Sequence, residues 1–327
     1  MNDDRLKEGA KSPKTRSFLR MLVTLGAAVS LPLALLGLLP FESLATDLPS
    51  HFVPQYAMGT GALLALAAWC RPHKSVFAAL GFVFLVSLWQ LAPYLPAKNA
   101  QEKQTTAKPL KILQANVLFI NRDASRLQQL LAKEKPDVVI ASEVNAAFAT
   151  MFAKLKKNYP HQQVFAEDDN PRGLAVVSKL PLEGAEQVFF DSRHVPAQKF
   201  SLKHNGKTIR FLSIHPFTPV VNLGRRDNEF RLIAAQMEKD GTDNLVILGD
   251  FNATPWCNGY HSLVKPLKLA NAREGRGIFP TWPSFFPLPL MRIPIDHVLL
   301  GRNISVRDFR LGPNIGSDHL PVIAEID

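Results

Sequence analysis

The sequence predicts a layered α and β domain preceded by three transmembrane helices, and two observations carry that prediction. The first is charge: residues 17–96 hold five charged side chains (Arg20, Glu42, Asp47, Arg71 and Lys74), whereas residues 97–327 hold 30 basic and 23 acidic ones. The second is pattern: from Leu110 onward, short apolar strands alternate with helix-like stretches. The chain-wide values, a net charge of +10 and a mean hydropathy of zero, therefore describe neither part. An apolar content of 46% excludes a disordered or fibrous chain, and two cysteines in 327 residues cannot build a disulfide framework.

Phe18 to Pro40 carries one charge, Arg20, and is long enough to cross the roughly 30 Å hydrocarbon layer as a helix. A second apolar run, Phe52 to Cys70, is interrupted by Pro54 and two glycines, and a third, Ser75 to Leu95, holds no charge. The first run could instead be a cleaved signal peptide, but its apolar core exceeds the usual ~7–15 residues and two more runs follow it. A buried hairpin in a soluble protein is disfavoured because the third run lacks a polar face.

Flanking basic residues set the orientation, because Lys and Arg stay on the cytoplasmic side. Arg5, Lys7, Lys11, Lys14, Arg16 and Arg20 precede or open the first span, and Arg71 and Lys74 lie between the second and third. The loop after the first span has Glu42 and Asp47 and no Lys or Arg. The expected organisation is a cytoplasmic basic tail at 1–17, a membrane anchor at 18–96, a polar linker at 97–109 and a soluble domain at 110–327. That domain would face away from the cytoplasm, at the periplasmic surface of an inner or plasma membrane.

In the soluble part, strands are predicted at Leu110–Leu118, Val138–Ala141, Leu174–Ser178, Thr208–Ile214, Leu245–Leu248, Ile295–Leu300 and Val322–Ile326, with a helix at Ala124–Lys133. Gly277–Pro294, with five prolines and four large aromatics, predicts an irregular surface loop near the binding site.

Polar residues gather at the strand ends. Asn116 ends the first strand, Glu143 follows the second, Asp250 and Asn252 follow Leu245–Gly249, and Asp318-His319 precede the last strand. Singly, an Asp or Asn there is ordinarily a turn or a cap. Asp296 is different: flanked by Ile293, Ile295, Val298 and Leu299, its carboxylate needs a cation or a histidine as partner. A set of Asp, Glu and Asn oxygens without cysteine ligands suits Mg²⁺ or Mn²⁺ before zinc, and such ions typically act on phosphate esters.

Gly249-Asp250-Phe251-Asn252, Glu143 in Ser-Glu-Val-Asn, Ile295-Asp296-His297 and Gly316-Ser317-Asp318-His319-Leu320-Pro321 together resemble the motifs of the endonuclease/exonuclease/phosphatase superfamily, in family order. The resemblance implies a four-layer sandwich, two packed β-sheets flanked by helices, with a divalent-metal site at one end. It implies Glu143 as principal metal ligand, Asn116 orienting that carboxylate or touching the metal, and Asp318 as a further metal-side acid. Asp250 would orient or deprotonate the attacking water, and Asn252 would hold the phosphate. His319, held by Asp296, would contact the phosphate or act as base, and His215, in Ser-Ile-His-Pro, matches a histidine that contacts phosphate or protonates the leaving group.

The sequence departs from the apurinic-site endonuclease branch, with Val-Asn after Glu143 in place of a Thr-Lys pair. It is closer to the histidine-containing branches: deoxyribonucleases, sphingomyelinases and inositol-phosphate phosphatases. The implied activity is a phosphodiesterase acting on nucleic acid or a phospholipid headgroup. The alternatives are a phosphomonoesterase of a phosphorylated small molecule of the inositol-phosphate type, or a silent binding module. The soluble part nets +7, which suits any anionic substrate, while Arg172, Arg226 and Arg231 are candidates to meet it. The N-terminal helices would meet the lipid bilayer, and the sequence names no protein partner.

Overall fold

The computed structural model describes residues 13–97, 107–191 and 195–327. Most of the predicted cytoplasmic tail and residues 98–106 of the predicted linker lie outside the described residues.

The N-terminal part is a bundle of α1 (Pro13–Leu38), short α2 (Leu44–Ser50), α3 (Val53–Cys70) and α4 (Lys74–Leu91). Lys14–Leu38 and Lys74–Tyr94 are long and apolar enough to cross a membrane. The middle run forms α3, 18 residues packed against both α1 and α4, and is not one of those two, so two of the three predicted spans are long and apolar enough among the described residues. Small and apolar residues such as Val23, Ala27, Ala67 and Leu80 fill the bundle interior, whereas Phe18, Leu25, Val29, Leu85 and Trp89 point outward. Arg16 and Arg20 donate to the Cys70 carbonyl at one end of the bundle. The opposite end meets the rest of the chain: Asn258 donates to the Leu39 carbonyl and Trp256 to the Gln90 carbonyl.

Twelve strands then form two six-stranded sheets. The first has the order β11 (Val306–Leu311), β12 (Val322–Ile326), β1 (Leu110–Asn116), β2 (Val138–Ser142), β4 (Leu174–Ser178), β3 (His161–Phe165). The second runs β5 (Glu183–Phe189), β6 (Pro196–His204), β7 (Lys207–Ile214), β8 (Leu245–Asp250), β10 (Asp296–Leu300), β9 (Ala270–Asn271). Four of the five strands beyond the seven predicted, β3, β5, β9 and β11, are sheet edges, where one side faces solvent and polar or very short sequences suffice. Helices α5 (Ser125–Glu134) and α6 (Ala146–Lys154) cover the first sheet, and α7 (Pro219–Asp240) and α8 (Asn258–Leu267) cover the second.

Successive side chains on a strand face opposite ways, and this alternation assigns every strand residue to a layer. Leu110 and Ile112 of β1, Val246 and Leu248 of β8, and Val298 and Leu300 of β10 share one core between the sheets. Leu113 and Ala115 face α5 and α6; Ile247 and Leu299 face α7 and α8. Continuing the inward parity places Gln114, Asn116, Asp250 and Asp296 at the end of the inter-sheet core. All four are buried.

Each sheet has one parallel pair at its centre, β1–β2 and β7–β8, and the remaining ladders are antiparallel. Asn116 pairs with Ser142 and Ile214 with Gly249, so the strands of each parallel pair end together, and Asn116 meets Asp250 across the two sheets. Asp296, at the start of antiparallel β10, lies opposite Asp250 at the end of β8. Gln114 is level with Val322, so the segment before β12 reaches the same edge.

Candidate active site

Both central strand pairs end here in tight turns that only a few backbone conformations allow. Leu118, Glu143 and Asn252 hold φ of +63°, +60° and +49°, left-handed values that are strained for residues with a side chain. Gly249 (φ +140°) has no such freedom to lose: a Cβ there would stand 2.0 Å from the Ile214 carbonyl oxygen.

Asn116, Glu143, His215, Asp250, Asp296 and His319 converge. The Asn116 amide donates to Glu143 Oε1 (2.8 Å) and to Asp250 Oδ2 (3.0 Å), linking the two sheets. Glu143 Oε2 accepts from the Phe119 amide at 2.9 Å. His215 Nε2 lies 3.6 Å from Glu143 Oε1 and 3.5 Å from Asp250 Oδ2, while its Nδ1 donates to the Pro171 carbonyl (3.1 Å). His319 Nδ1 donates to Asp296 Oδ2 at 2.8 Å and presents Nε2 3.6 Å from Asp250 Oδ2.

Asn252 lies beside this cluster, its amide N–H donating to Asp250 Oδ1 (2.9 Å) and its side chain to the Pro216 carbonyl (3.1 Å). Asp318 stands apart from the two close groups of ligand atoms, Glu143–His215–Asp250 and Asp250–Asp296–His319. Its Oδ2 accepts from the Trp282 indole at 3.0 Å. The 277–294 segment that supplies Trp282 thus reaches Asp318, and it is irregular apart from an isolated antiparallel bridge between Trp282 and Ile293 and one 3-10 turn at Pro289–Met291.

Electrostatics divides the labour. Burial would push the Asp250 carboxyl up, but the charges of His319 and His215 and the Asn252 amide overcome it, holding Asp250 far below the carboxylate range. Burial alone would lower His319; the Asp296 and Asp250 carboxylates instead raise it to about 10. His215 is likewise raised, Asp250 and Glu143 overcoming burial. The cluster therefore sets an ionised Asp250 carboxylate against a protonated His319 imidazole.

Several supports were not legible as functional from sequence. Gln114 donates to Asp296 Oδ1 at 3.1 Å, so both oxygens of that buried carboxylate are fixed. Asn145 caps α6 by accepting from the Ala147 and Phe148 amides, and donates to the Phe119 and Asn121 carbonyls, pinning the turn that covers Glu143. Period-two alternation from Gln114 and the Asx capping pattern were the available signals. Arg172 stacks on Phe217 at 4.0 Å and donates to the His215 carbonyl, leaving it at the site's margin. Arg226 and Arg231 instead pair with Asp47 and Glu42 of the N-terminal part. His297, next to Asp296, points away: it accepts from Asn271, donates to the Ala253 carbonyl and is held neutral by burial.

Residues 113–319 match the family model described as the Endonuclease/Exonuclease/phosphatase family. The chain belongs to the endonuclease/exonuclease/phosphatase family. Similar solved structures include TDP2 of D. rerio in complex with single-strand DNA product, at 16% identity and a TM-score of 0.54, covering 67% of this chain and 99% of that one. Sphingomyelinase C of Streptomyces griseocarneus aligns at 19% identity and 0.50, covering 66% and 99%. The human Nocturnin catalytic domain aligns at 18% and 0.53, covering 67% and 93%. These are likenesses of fold. No curated protein matches the chain.

Enzymes of the endonuclease/exonuclease/phosphatase family typically use divalent metals, and the donor set here fits one. Glu143, His215 and Asp250 each offer an atom within 4.8 Å of the others, and the Glu143 carboxylate is aimed by two donors. Carboxylate oxygens in the majority favour a hard cation.

Proposed function

We propose that the chain is a membrane-anchored, Mg²⁺- or Mn²⁺-dependent phosphodiesterase that works at the extracytoplasmic face and cleaves a phospholipid headgroup. The observation that carries it is the meeting of Glu143, Asp250, His215 and the Asp296–His319 pair at one end of the sandwich, three hydrogen bonds joining the sheets there. Glu143 would be the principal holder of the metal, with Asn116 orienting it and Asp318 as the outer acid. The bound cation would neutralise charge on the phosphate and lower the barrier to attack.

The chain's own residues do the rest. Asp250 accepts a hydrogen bond from the attacking water, aligns it, and takes its proton as the new P–O bond forms. His319, kept cationic by Asp296, donates to a non-bridging phosphate oxygen, and Asn252 donates to another. His215 gives its Nε2 proton to the leaving oxygen as the old P–O bond breaks. Burial of the cluster strengthens each of these interactions relative to water.

The lipid assignment is supported by where exposed apolar residues fall. In the sandwich, Val220, Val221, Phe285, Leu288, Leu290 and Met291 are among the most exposed large hydrophobics. Val220 and Val221 open α7, just after His215, and the others belong to the Trp282 segment. Both groups adjoin the anchor: Gln55 of α3 donates to the Leu290 and Arg292 carbonyls, and α2 packs on α7. An apolar rim beside membrane helices suits a lipid surface better than a nucleic acid. The basic Arg16, Arg20, Arg71 and Lys74 gather at the far end of the bundle, in keeping with three spans and an extracytoplasmic domain.

The full chain in detergent, with Mn²⁺, should hydrolyse bis-p-nitrophenyl phosphate and, in vesicles, release headgroups from glycerophospholipid or sphingomyelin. No activity above that of Asp250→Ala on any ester would overturn the enzyme reading; activity confined to DNA or RNA would overturn the lipid assignment.

A further inference from the structure

The family match begins at residue 113, yet the most heavily bonded charged group behind the active site is shared with α2 of the anchor. Arg226 is fully buried. Its guanidinium donates to Asp47 Oδ1 (2.6 Å) and Oδ2 (3.2 Å), to Asp227 Oδ1 (2.8 Å) and to the backbone carbonyl of Asn252 (3.0 Å).

His51 closes the ring. Thr254 donates its backbone N–H to His51 Nδ1 (3.3 Å), with the Thr254 hydroxyl 2.9 Å from the same nitrogen. Because Nδ1 accepts, the imidazole proton sits on Nε2, where it is donated to Asp47 Oδ2 at 3.0 Å. The path Thr254–His51–Asp47–Arg226–Asn252 thus begins and ends on one turn, the turn whose Asn252 is held at a left-handed φ.

We propose that Asp47 and His51 are positioning residues for catalysis, so that the anchor completes the active site besides tethering it. A strained non-glycine turn persists only where its surroundings over-determine it. The sandwich supplies all three hydrogen bonds that restrain Asn252, from Asp250, Pro216 and Arg226; the anchor, through Asp47, fixes the guanidinium that makes the third.

Cys257 lies within 4.8 Å of the Asp47 and His51 ligand atoms, but the group is not a metal site. Both Asp47 oxygens are already taken by Arg226, the cation of the cluster, and burial pushes the Cys257 thiol up to about 12.

The proposal rests on Asn252 serving the reaction as described above, and two measurements separate the two ideas. In the full chain, Asp47→Asn should lower kcat on bis-p-nitrophenyl phosphate about 10-fold or more, with KM changed less than about twofold. The same substitution in an Asn252→Ala background should add almost nothing, whereas it should add its full effect to His215→Ala. Equal losses in the wild-type and Asn252→Ala backgrounds, or full activity of Asp47→Asn, would overturn the proposal.

Hydrogen exchange reads the clamp without any substrate. Amides of residues 252–257 should exchange at least about 10-fold faster in Asp47→Asn, with those of β1 and β2 unchanged. Unchanged exchange there would overturn it even if the enzyme proved inactive. Should Asp47→Asn fail to fold, His51→Gln, which keeps the salt bridge and breaks the Thr254 contact, carries the same tests and the same overturning results.

Discussion

Asp296 accepts the Nδ1 proton of His319 at 2.8 Å across the gap between the sheets, and its other oxygen accepts from Gln114 at 3.1 Å. A fully buried carboxylate with both oxygens occupied has one consequence for its partner: the imidazole is fixed in orientation and kept protonated. Asp296→Asn should therefore slow turnover by about 10²–10³-fold while Mn²⁺ affinity stays within about threefold. Steady-state kinetics and calorimetric Mn²⁺ titration check this, and full activity would make the pair purely structural.

Glu143 is the carboxylate most specifically aimed, with Asn116 and Phe119 as donors. Glu143→Ala should lose at least about 10³-fold in kcat at micromolar Mn²⁺ and bind Mn²⁺ at least about 10-fold more weakly in calorimetric titration. Unchanged Mn²⁺ affinity would show that another acid is the principal ligand.

Glu229 is buried, and neither carboxylate oxygen has a hydrogen-bond partner. Burial raises its pKa to about 8, only partly opposed by Arg172. The folded state therefore binds a proton that the unfolded state releases near pH 4.5; the associated stability is full below that pH and is lost as pH rises through about 8. Glu229→Gln should flatten the decline and be more stable than wild type at pH 8–9, by roughly 1–3 kcal/mol. Thermal melts from pH 5 to 9 check this; parallel curves would contradict it.

Leu288 and Leu290 are about half exposed on the rim next to α3. Leu288→Asp with Leu290→Asp should leave hydrolysis of bis-p-nitrophenyl phosphate within about twofold, yet reduce turnover of vesicle lipid about 10-fold. An equal effect on both substrates would remove the rim from lipid recognition.

The placement of Arg16 and Arg20 at one end of the bundle and of the sandwich at the other predicts which compartment the C-terminus reaches. Alkaline phosphatase fused after Asp327 should be active in cells. An inactive fusion with a correspondingly active cytoplasmic reporter would reverse the orientation.

The central strands were legible because each is an uninterrupted apolar run ending in a polar residue: Val138–Ala141 before Glu143, Leu245–Leu248 before Asp250. Site residues followed from those ends, and Asp296 from the cost of a carboxylate within β10. Edge strands such as β11 (Val-Arg-Asp-Phe-Arg-Leu) carried no such signal, because half their surface is solvated. The role of Asp47 was equally hidden. In sequence it is one acid in a loop between apolar runs, and its meaning comes from Arg226, 179 positions away.

The carboxylates of the candidate site come from different sheets, Glu143 from the first and Asp250 and Asp296 from the second, with no disulfide between the layers among the described residues. A cation held by Glu143, whose orienting Asn116 also bonds Asp250 of the other sheet, would act as a removable rivet through the sandwich. Ligand occupancy would then be a term in global stability: at a hundredfold excess over Kd it contributes about 2.7 kcal/mol. A chelator should thus lower the melting temperature of the whole domain, and each emptying of the site would loosen the seam on which the two layers are joined.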